Sequence, residues 1–368
     1  MTTSTTPAAI DVALVDCDIH LGPRDAEELV SYVPGEWRGR LGDRRRLATR
    51  TAYLPFGNPA RMDAYGKDGA FPGTDPDTVK QQLFVDERMD FGFIVALPGH
   101  GPDPAFNAAV SRAINAWQAA TWLVESPLRL FGSIHVAIDD IPAAVAEIEH
   151  WAGHEGFRQV LIAHDGDRPF GHPQYDPLWA AAARHGLPVA IHFNDSGRLA
   201  LGATPVGHFR TYVEYHALTH PLEYAAHIVS WLDGGTFERH PRLRFVLLEG
   251  GFLWHRPVID RLTHAWAAGA RPAGASREPA QYLRDHVRFS SQPIEEAEAA
   301  RDVAARLEAA DAEHLLMFSS DYPHYDYDNP ERALPRALPA ALRQRILCEN
   351  ARAFYDLPAT RPAGDYDA

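Results

Sequence analysis

The chain alternates between short apolar segments and longer segments in which apolar residues recur every three or four positions. The first pattern is typical of buried strands, and the second of helices with one face packed on a core. Eight strands are predicted, at residues 10–20, 91–98, 128–136, 157–164, 187–193, 243–249, 287–291 and 315–320. Helices are predicted at residues 106–125, 141–153, 177–185, 222–232, 254–266, 295–310 and 338–355.

This order of elements predicts the fold class. Strands that alternate with helices pair in parallel through right-handed crossovers, and eight such units favour a closed (β/α)8 TIM barrel. A doubly wound open sheet is the alternative fold, but the glycine-rich phosphate-binding motifs of nucleotide-binding sheets do not occur. We predict one α/β domain over residues 1–368, with an insertion at 21–80 after the first strand and an extra C-terminal helix on the barrel exterior.

Polar residues occupy the carboxyl ends of five predicted strands, and in a barrel of this kind those ends form the active site. Strand seven ends in Gln292, and the other four ends carry residue types that bind metals. These are Asp18 and His20 on strand one, His192 on strand five, Glu249 on strand six, and Asp321 on strand eight.

The first strand supplies two of these candidates. A side-chain period of two places Asp16, Asp18 and His20 on one face of the strand, and Cys17 and Ile19 on the other. We therefore expect Asp18 and His20 to lie side by side.

Two imidazoles and two carboxylates would neutralise a divalent cation and leave coordination positions open, as in a catalytic metal site. Each residue also has a simpler interpretation. Asp18 and His20 are compatible with a structural pair, His192 with a buried core histidine, and Asp321 with a helix N-cap. Their coincidence at the same end of three strands favours the metal site.

Composition narrows the class of partner. The formal net charge of −14 argues against binding to nucleic acid or to an anionic membrane surface. The two cysteines are far apart in sequence, which indicates a reduced protein. The first residues show no signal-peptide pattern, and no apolar run is long enough to span a membrane, so we expect a cytoplasmic location.

Three motifs resemble the amidohydrolase superfamily, in the branch related to aminocarboxymuconate-semialdehyde decarboxylase. They are Asp18-x-His20, Gly186-Leu-Pro-Val-Ala-Ile-His192, and Phe318-Ser-Ser-Asp321-Tyr-Pro-His324 with the later Cys348-Glu-Asn-Ala-Arg-Ala-Phe-Tyr355. The resemblance extends over residues 16–357. It implies one divalent metal ion, Zn²⁺ or Mn²⁺ with Fe²⁺ as a further option, held by Asp18, His20, His192 and Asp321.

Two positions depart from this pattern. The decarboxylases of the branch carry a catalytic histidine after strand six, where this chain has Glu249. Members with two metals commonly carry a bridging lysine or glutamate on strand four, but this strand ends in Ala163-His164, which favours a single metal. Asp321 and Glu249 are the expected catalytic residues.

Three functions remain open. The first is non-oxidative decarboxylation of a small unsaturated or aromatic carboxylate, with Asp321 as proton carrier. The second is metal-dependent hydrolysis of an amide, ester, lactone or cyclic imine, in which Asp321 takes a proton from water. The third is a catalytically silent barrel that acts as a binding protein.

The expected partner is a small-molecule substrate, and the resemblance also implies a homodimer. Candidate substrate-binding residues lie in the loops that would surround the barrel mouth. They are Arg61, His216, His220, Gln292 and His324.

Overall fold

The structure is a computed structural model that describes residues 13–42, 60–98, 101–125, 129–163, 166–192, 212–271, 274–294 and 300–359. Eight parallel strands follow one another around the sheet in chain order. They are β1 (Val15–Ile19), β2 (Phe91–Ile94), β3 (Leu130–His135), β4 (Phe157–Ile162), β5 (Val189–His192), β6 (Phe245–Leu248), β7 (Val287–Ser290) and β8 (Leu316–Met317).

Backbone hydrogen bonds between the first and last strands join the two edges of the sheet. The amide of Cys17 donates to the carbonyl of Phe318 at 3.1 Å, and the amide of His20 donates to the carbonyl of Tyr322 at 2.7 Å. The barrel prediction is therefore confirmed against the open sheet, because an open sheet has two unpaired edges.

Helices surround the barrel, and several begin where the sequence provides a cap. Asp103 and Asp140 accept hydrogen bonds from the first turns of their helices, and Gly186 ends another in the left-handed conformation. The longer helices are Pro104–Ala120, Ile141–Trp151, Asp176–His185, Tyr212–Asp233, His255–Ala267, Pro279–His286 and Ala300–Ala309. The shorter ones are Ala26–Val30, Arg38–Gly42, Pro76–Val79, Trp122–Glu125, Thr236–Arg239, Ala312–Leu315, Ala340–Gln344 and Asn350–Tyr355, with π-helical turns at Lys80–Asp86 and Arg345–Glu349. None of the described helices combines the length and apolar character needed to cross a bilayer.

Two differences from the sequence prediction concern the helices. The helix predicted at 222–232 begins ten residues earlier, at Tyr212, and continues through Pro221. The helix Pro279–His286 was not predicted, because its apolar residues are few and its segment is rich in charged residues.

Strand β1 does not keep a strict two-residue alternation. Val15 and Cys17 belong to the apolar cluster inside the barrel, whereas Ile19 belongs to the cluster between strands and helices. The pairing of β1 with β2 shifts register between Asp16 and Ile19. Such an irregularity redirects the side chains beyond it, so the prediction that Asp16, Asp18 and His20 share one face of the strand was wrong.

The C-terminal helix packs differently from the prediction. Phe354 and Tyr355 join the interior cluster, and the Tyr355 hydroxyl donates to Oε1 of Gln159 on β4 at 2.7 Å. The expected exterior position holds for the first part of the segment, where Ile346 and Leu347 belong to the cluster between strands and helices, and was wrong only for its last turns, whose aromatic rings pack against small interior residues such as Ala190 and Cys17. The helix closes the amino end of the barrel.

Candidate metal centre

Five residues that could bind a metal converge at the carboxyl end of the barrel. Asp18, His20 and His192 offer ligand atoms within 4.8 Å of one another, and so do His20, Asp321 and His324. His20 belongs to both groups. The structure thus brings together the four ligands expected from the motifs and adds His324, which was predicted only as a substrate-binding residue.

The orientation of His20 is fixed by the backbone. Its Nδ1 lies 3.0 Å from the carbonyl oxygen of Val95, which requires the ring proton on that nitrogen. Burial lowers the pKa of His20 to about 4, so the ring is neutral at pH 7 and Nε2 carries a lone pair. That lone pair faces Asp321 Oδ1 at 2.8 Å and Asp18 Oδ1 at 3.4 Å. In both contacts an acceptor faces an acceptor, and a cation between them would stabilise this arrangement.

Asp18 gives independent support for a cation. The residue is 1% exposed, and neither carboxylate oxygen has a hydrogen-bond partner within the described part of the chain. Burial raises the pKa of Asp18 well above its usual range; the nearby His192 opposes this shift, and the charges of Asp321 and Glu249 add to it. A buried carboxylate without a donor is costly unless a metal or a proton neutralises it.

Asp321 and Glu249 follow their strands in the left-handed backbone conformation, with φ of 60° and 51°. This region is uncommon for residues with a side chain, and such strain clusters at functional sites. Asp321 caps no helix among the described residues, since the next described helix begins at Ala340. Instead its carboxylate contacts His20 and His324.

Asp16 joins the two ligand-bearing strands where the barrel closes. Its Oδ1 accepts hydrogen bonds from the amide of Asp18 at 3.1 Å and from the amide of Ser320 at 3.0 Å. This one buried oxygen therefore holds Asp18 in place, and also Ser320, the residue before Asp321. Burial raises the pKa of Asp16 to about 7. The alternation along the first strand predicted only a face of the strand for Asp16, because its two hydrogen bonds depend on contacts that the sequence does not contain.

His324 and Asp321 form a close ion pair. Nδ1 of His324 lies 2.8 Å and 2.9 Å from the two oxygens of Asp321, and its ring stacks on His20 with centroids 4.4 Å apart. Burial lowers the pKa of His324, but the charge of Asp321 outweighs it and raises this pKa to about 10. Burial likewise opposes ionisation of Asp321, yet His324 and the contact with His20 hold its pKa below the usual range.

Glu249 lies beside the second histidine. Its Oε2 is 3.0 Å from Nε2 of His192, and its backbone amide donates to Ser290 Oγ at 3.0 Å. Burial and the negative charge of Asp321 raise the pKa of Glu249. The residue therefore lies in the same electrostatic environment as the candidate ligands.

Gln292 and Arg61, two of the predicted substrate-binding residues, contact residues outside the strands of the barrel. Gln292 follows β7, and its amide nitrogen lies 3.4 Å from the carbonyl of Asp326 in the loop after β8. Arg61 binds both carboxylate oxygens of Asp63, at 2.7 Å and 2.6 Å, and lies over the ring of Tyr327.

Three further histidines cannot be placed at the site. The backbone at His216 and His220 is helical rather than irregular as predicted, but their side chains lie outside the described residues. His164 is also outside them.

Several solved structures share this fold. An amidohydrolase from Mycobacterium avium subsp. paratuberculosis K-10 matches with a TM-score of 0.69 and 20% identity, over 95% of this chain and 100% of that one. A dihydroxybenzoic acid decarboxylase from Polaromonas sp. JS666, with bound manganese and the inhibitor 2-nitroresorcinol, has a TM-score of 0.61 and 15% identity, over 94% and 97%. The 5-carboxyvanillate decarboxylase from Sphingomonas paucimobilis has a TM-score of 0.62 and 19% identity, over 95% and 100%.

The sequence itself also shows to which family the chain belongs. No curated protein sequence matches the chain. The amidohydrolase family model matches residues 15–357, which is most of the chain and nearly the range over which the motifs predicted the resemblance. The chain therefore belongs to the amidohydrolase family.

Proposed function

We propose that this protein catalyses the metal-dependent, non-oxidative decarboxylation of a small aromatic or unsaturated carboxylate. The observation that carries the proposal is the convergence of the His20 lone pair with carboxylate oxygens of Asp18 and Asp321. Two solved structures of the same fold are decarboxylases of aromatic carboxylates, which supports this reaction class.

Asp18, His20, His192 and Asp321 would hold one divalent ion. The unpartnered oxygens of Asp18 and the backbone-fixed tautomer of His20 fit such an ion. When bound, the ion supplies positive charge that orients the substrate carboxylate and stabilises the electron-rich state left as CO₂ departs.

The protein's own residues supply the proton. His324 is charged at neutral pH, and its Nδ1 proton lies between the two oxygens of Asp321. As the bond to the carboxylate breaks, its electron pair stays on the substrate carbon. His324 passes its Nδ1 proton to Asp321, which hands it on to that carbon, and solvent then restores the proton on His324, which is partly exposed.

Glu249 takes the position at which the decarboxylases of the branch carry histidine. With its raised pKa, Glu249 retains a proton more readily than an ordinary glutamate and can donate a hydrogen bond to the substrate. Its contact with His192 also helps to fix the orientation of that ring.

The test is incubation with Mn²⁺ or Zn²⁺ and a panel of hydroxybenzoates and lactones, with CO₂ release and acid release measured separately. Decarboxylation consumes a proton and releases CO₂, whereas lactone hydrolysis releases acid. We expect CO₂ from at least one hydroxybenzoate and its loss after chelation. Acid release from lactones without CO₂ from any hydroxybenzoate would favour the hydrolase instead.

A matched pair of histidine variants separates an enzyme from a silent barrel. His192→Ala should lose bound metal and activity together, whereas His264→Ala, on an exposed helix position, should keep both. Negligible metal in the wild-type protein by elemental analysis, even after incubation with Mn²⁺ and Zn²⁺, would contradict the proposed function.

A further inference from the structure

A buried side-chain oxygen next to the candidate metal centre lacks a donor. Gln292 is 1% exposed, and its Oε1 has no hydrogen-bond partner among the described residues. Its amide nitrogen faces the carbonyl of Asp326, which fixes which end of the amide carries the oxygen. A buried acceptor without a donor is destabilising, so a ligand or a water must supply the missing hydrogen bond.

The backbone of Gln292 lies between the two strands that carry the catalytic carboxylates. The backbone amide of Gln292 donates to Oγ of Ser319 at 3.0 Å, and Ser319 lies two residues before Asp321. Ser290, two residues before Gln292, accepts through Oγ the amide hydrogen of Glu249. Gln292 thus lies at the carboxyl end of β7, flanked by the ends of β6 and β8.

The neighbouring loop is part of the same site. The side-chain amide nitrogen of Gln292 lies 3.4 Å from the carbonyl oxygen of Asp326. Burial and the charge of Asp321 raise the pKa of Asp326, although His324 and a hydrogen bond with Gln292 oppose this shift. The amide of Gln292 therefore belongs to the group of polar residues around Asp321.

We propose that Gln292 is a specificity residue, whose Oε1 accepts a hydrogen bond from a hydroxyl on the ring of the substrate. This inference rests on the proposed function for the kind of substrate, an aromatic carboxylate. A site built to bind a hydroxyl discriminates strongly against the analogue that lacks it, because the protein acceptor is then left unpaired. A ring hydroxyl also donates electron density to the ring carbon that must take up the proton.

The test uses Mn²⁺-loaded protein and probes that cannot lose CO₂. A nitro group has the planar shape of a carboxylate, so the three nitrophenol isomers are compared with nitrobenzene by calorimetric titration. For the wild type we expect at least one isomer to bind about tenfold more tightly than nitrobenzene. In Gln292→Met, which keeps the size and removes the acceptor, this preference should fall to about twofold or less.

Gln344→Met is the control, because Gln344 is an exposed glutamine near the C-terminal end. It should keep the wild-type preference. A structural role for Gln292 is tested by thermal unfolding, since loss of the 3.4 Å contact between its amide nitrogen and the carbonyl of Asp326 should lower the melting temperature of Gln292→Met by no more than about 1 to 2 °C.

Three results would overturn the inference: no isomer preferred by the wild type, the same preference in Gln292→Met, or a melting temperature several degrees lower in that variant. These outcomes are independent of turnover. Absence of CO₂ release with an intact, Gln292-dependent preference would refute the decarboxylase alone. CO₂ release without that preference would refute only the role of Gln292.

Discussion

Replacing Asp18 by asparagine tests whether this buried carboxylate exists to bind a metal. The carboxylate is 1% exposed and its oxygens have no donor among the described residues. Asparagine keeps the shape and removes the charge. We expect Asp18→Asn to abolish the stabilisation that Mn²⁺ gives to the wild type, and to leave the metal-free protein as stable as the metal-free wild type or more so.

The magnitude follows from linkage and chain length. A ligand at 100 times its Kd stabilises the folded state by about 2.7 kcal/mol. Unfolding a chain of 368 residues at roughly 2.1 cal/mol/K per residue gives an entropy of about 0.8 kcal/mol/K. The expected rise in melting temperature is therefore about 3 to 4 °C for the wild type, and less than about 1 °C for Asp18→Asn.

Differential scanning calorimetry, with Mn²⁺ and with chelator, measures both effects. Asp68→Asn, at an exposed aspartate, should respond to Mn²⁺ like the wild type. A full Mn²⁺ response in Asp18→Asn would show that the metal does not need this carboxylate. A metal-free variant melting several degrees below the metal-free wild type would show that Asp18 stabilises the fold through other contacts.

Three further predictions concern residues around the site and the barrel. Asp16→Ala should weaken Mn²⁺ binding by about tenfold or more, measured by titration, because it removes the acceptor shared by β1 and the segment after β8; unchanged affinity would exclude this positioning role. Burial raises the pKa of Glu87 to about 7, so the folded protein keeps a proton that the unfolded chain releases near pH 4.5. Stability should consequently fall as pH rises from about 4.5 to 7, and Glu87→Gln should flatten that fall in urea unfolding; an unaltered slope would assign it to other groups. Tyr355→Phe should lower the free energy of unfolding by about 1 kcal/mol, since it leaves the amide oxygen of Gln159 without its donor; no change in urea unfolding would show that water replaces the hydroxyl.

The sequence by itself determined the barrel and the order of its candidate metal ligands. Strand and helix periods are local properties, and eight alternating units admit few other folds. Parallel pairing then brings all strand ends to one side, so Asp18, His20, His192 and Asp321 could be assigned to one site from their positions alone.

Only the tertiary structure decided how that site is completed. The register shift in β1, the hydrogen bonds of Asp16 to two strands and the anchoring of His20 by Val95 all join residues far apart in the chain. The same holds for the C-terminal helix, whose aromatic residues fill the barrel interior. Local periodicity carries no information on such contacts, because they depend on which surfaces meet after the barrel closes and on which buried polar atoms then find partners.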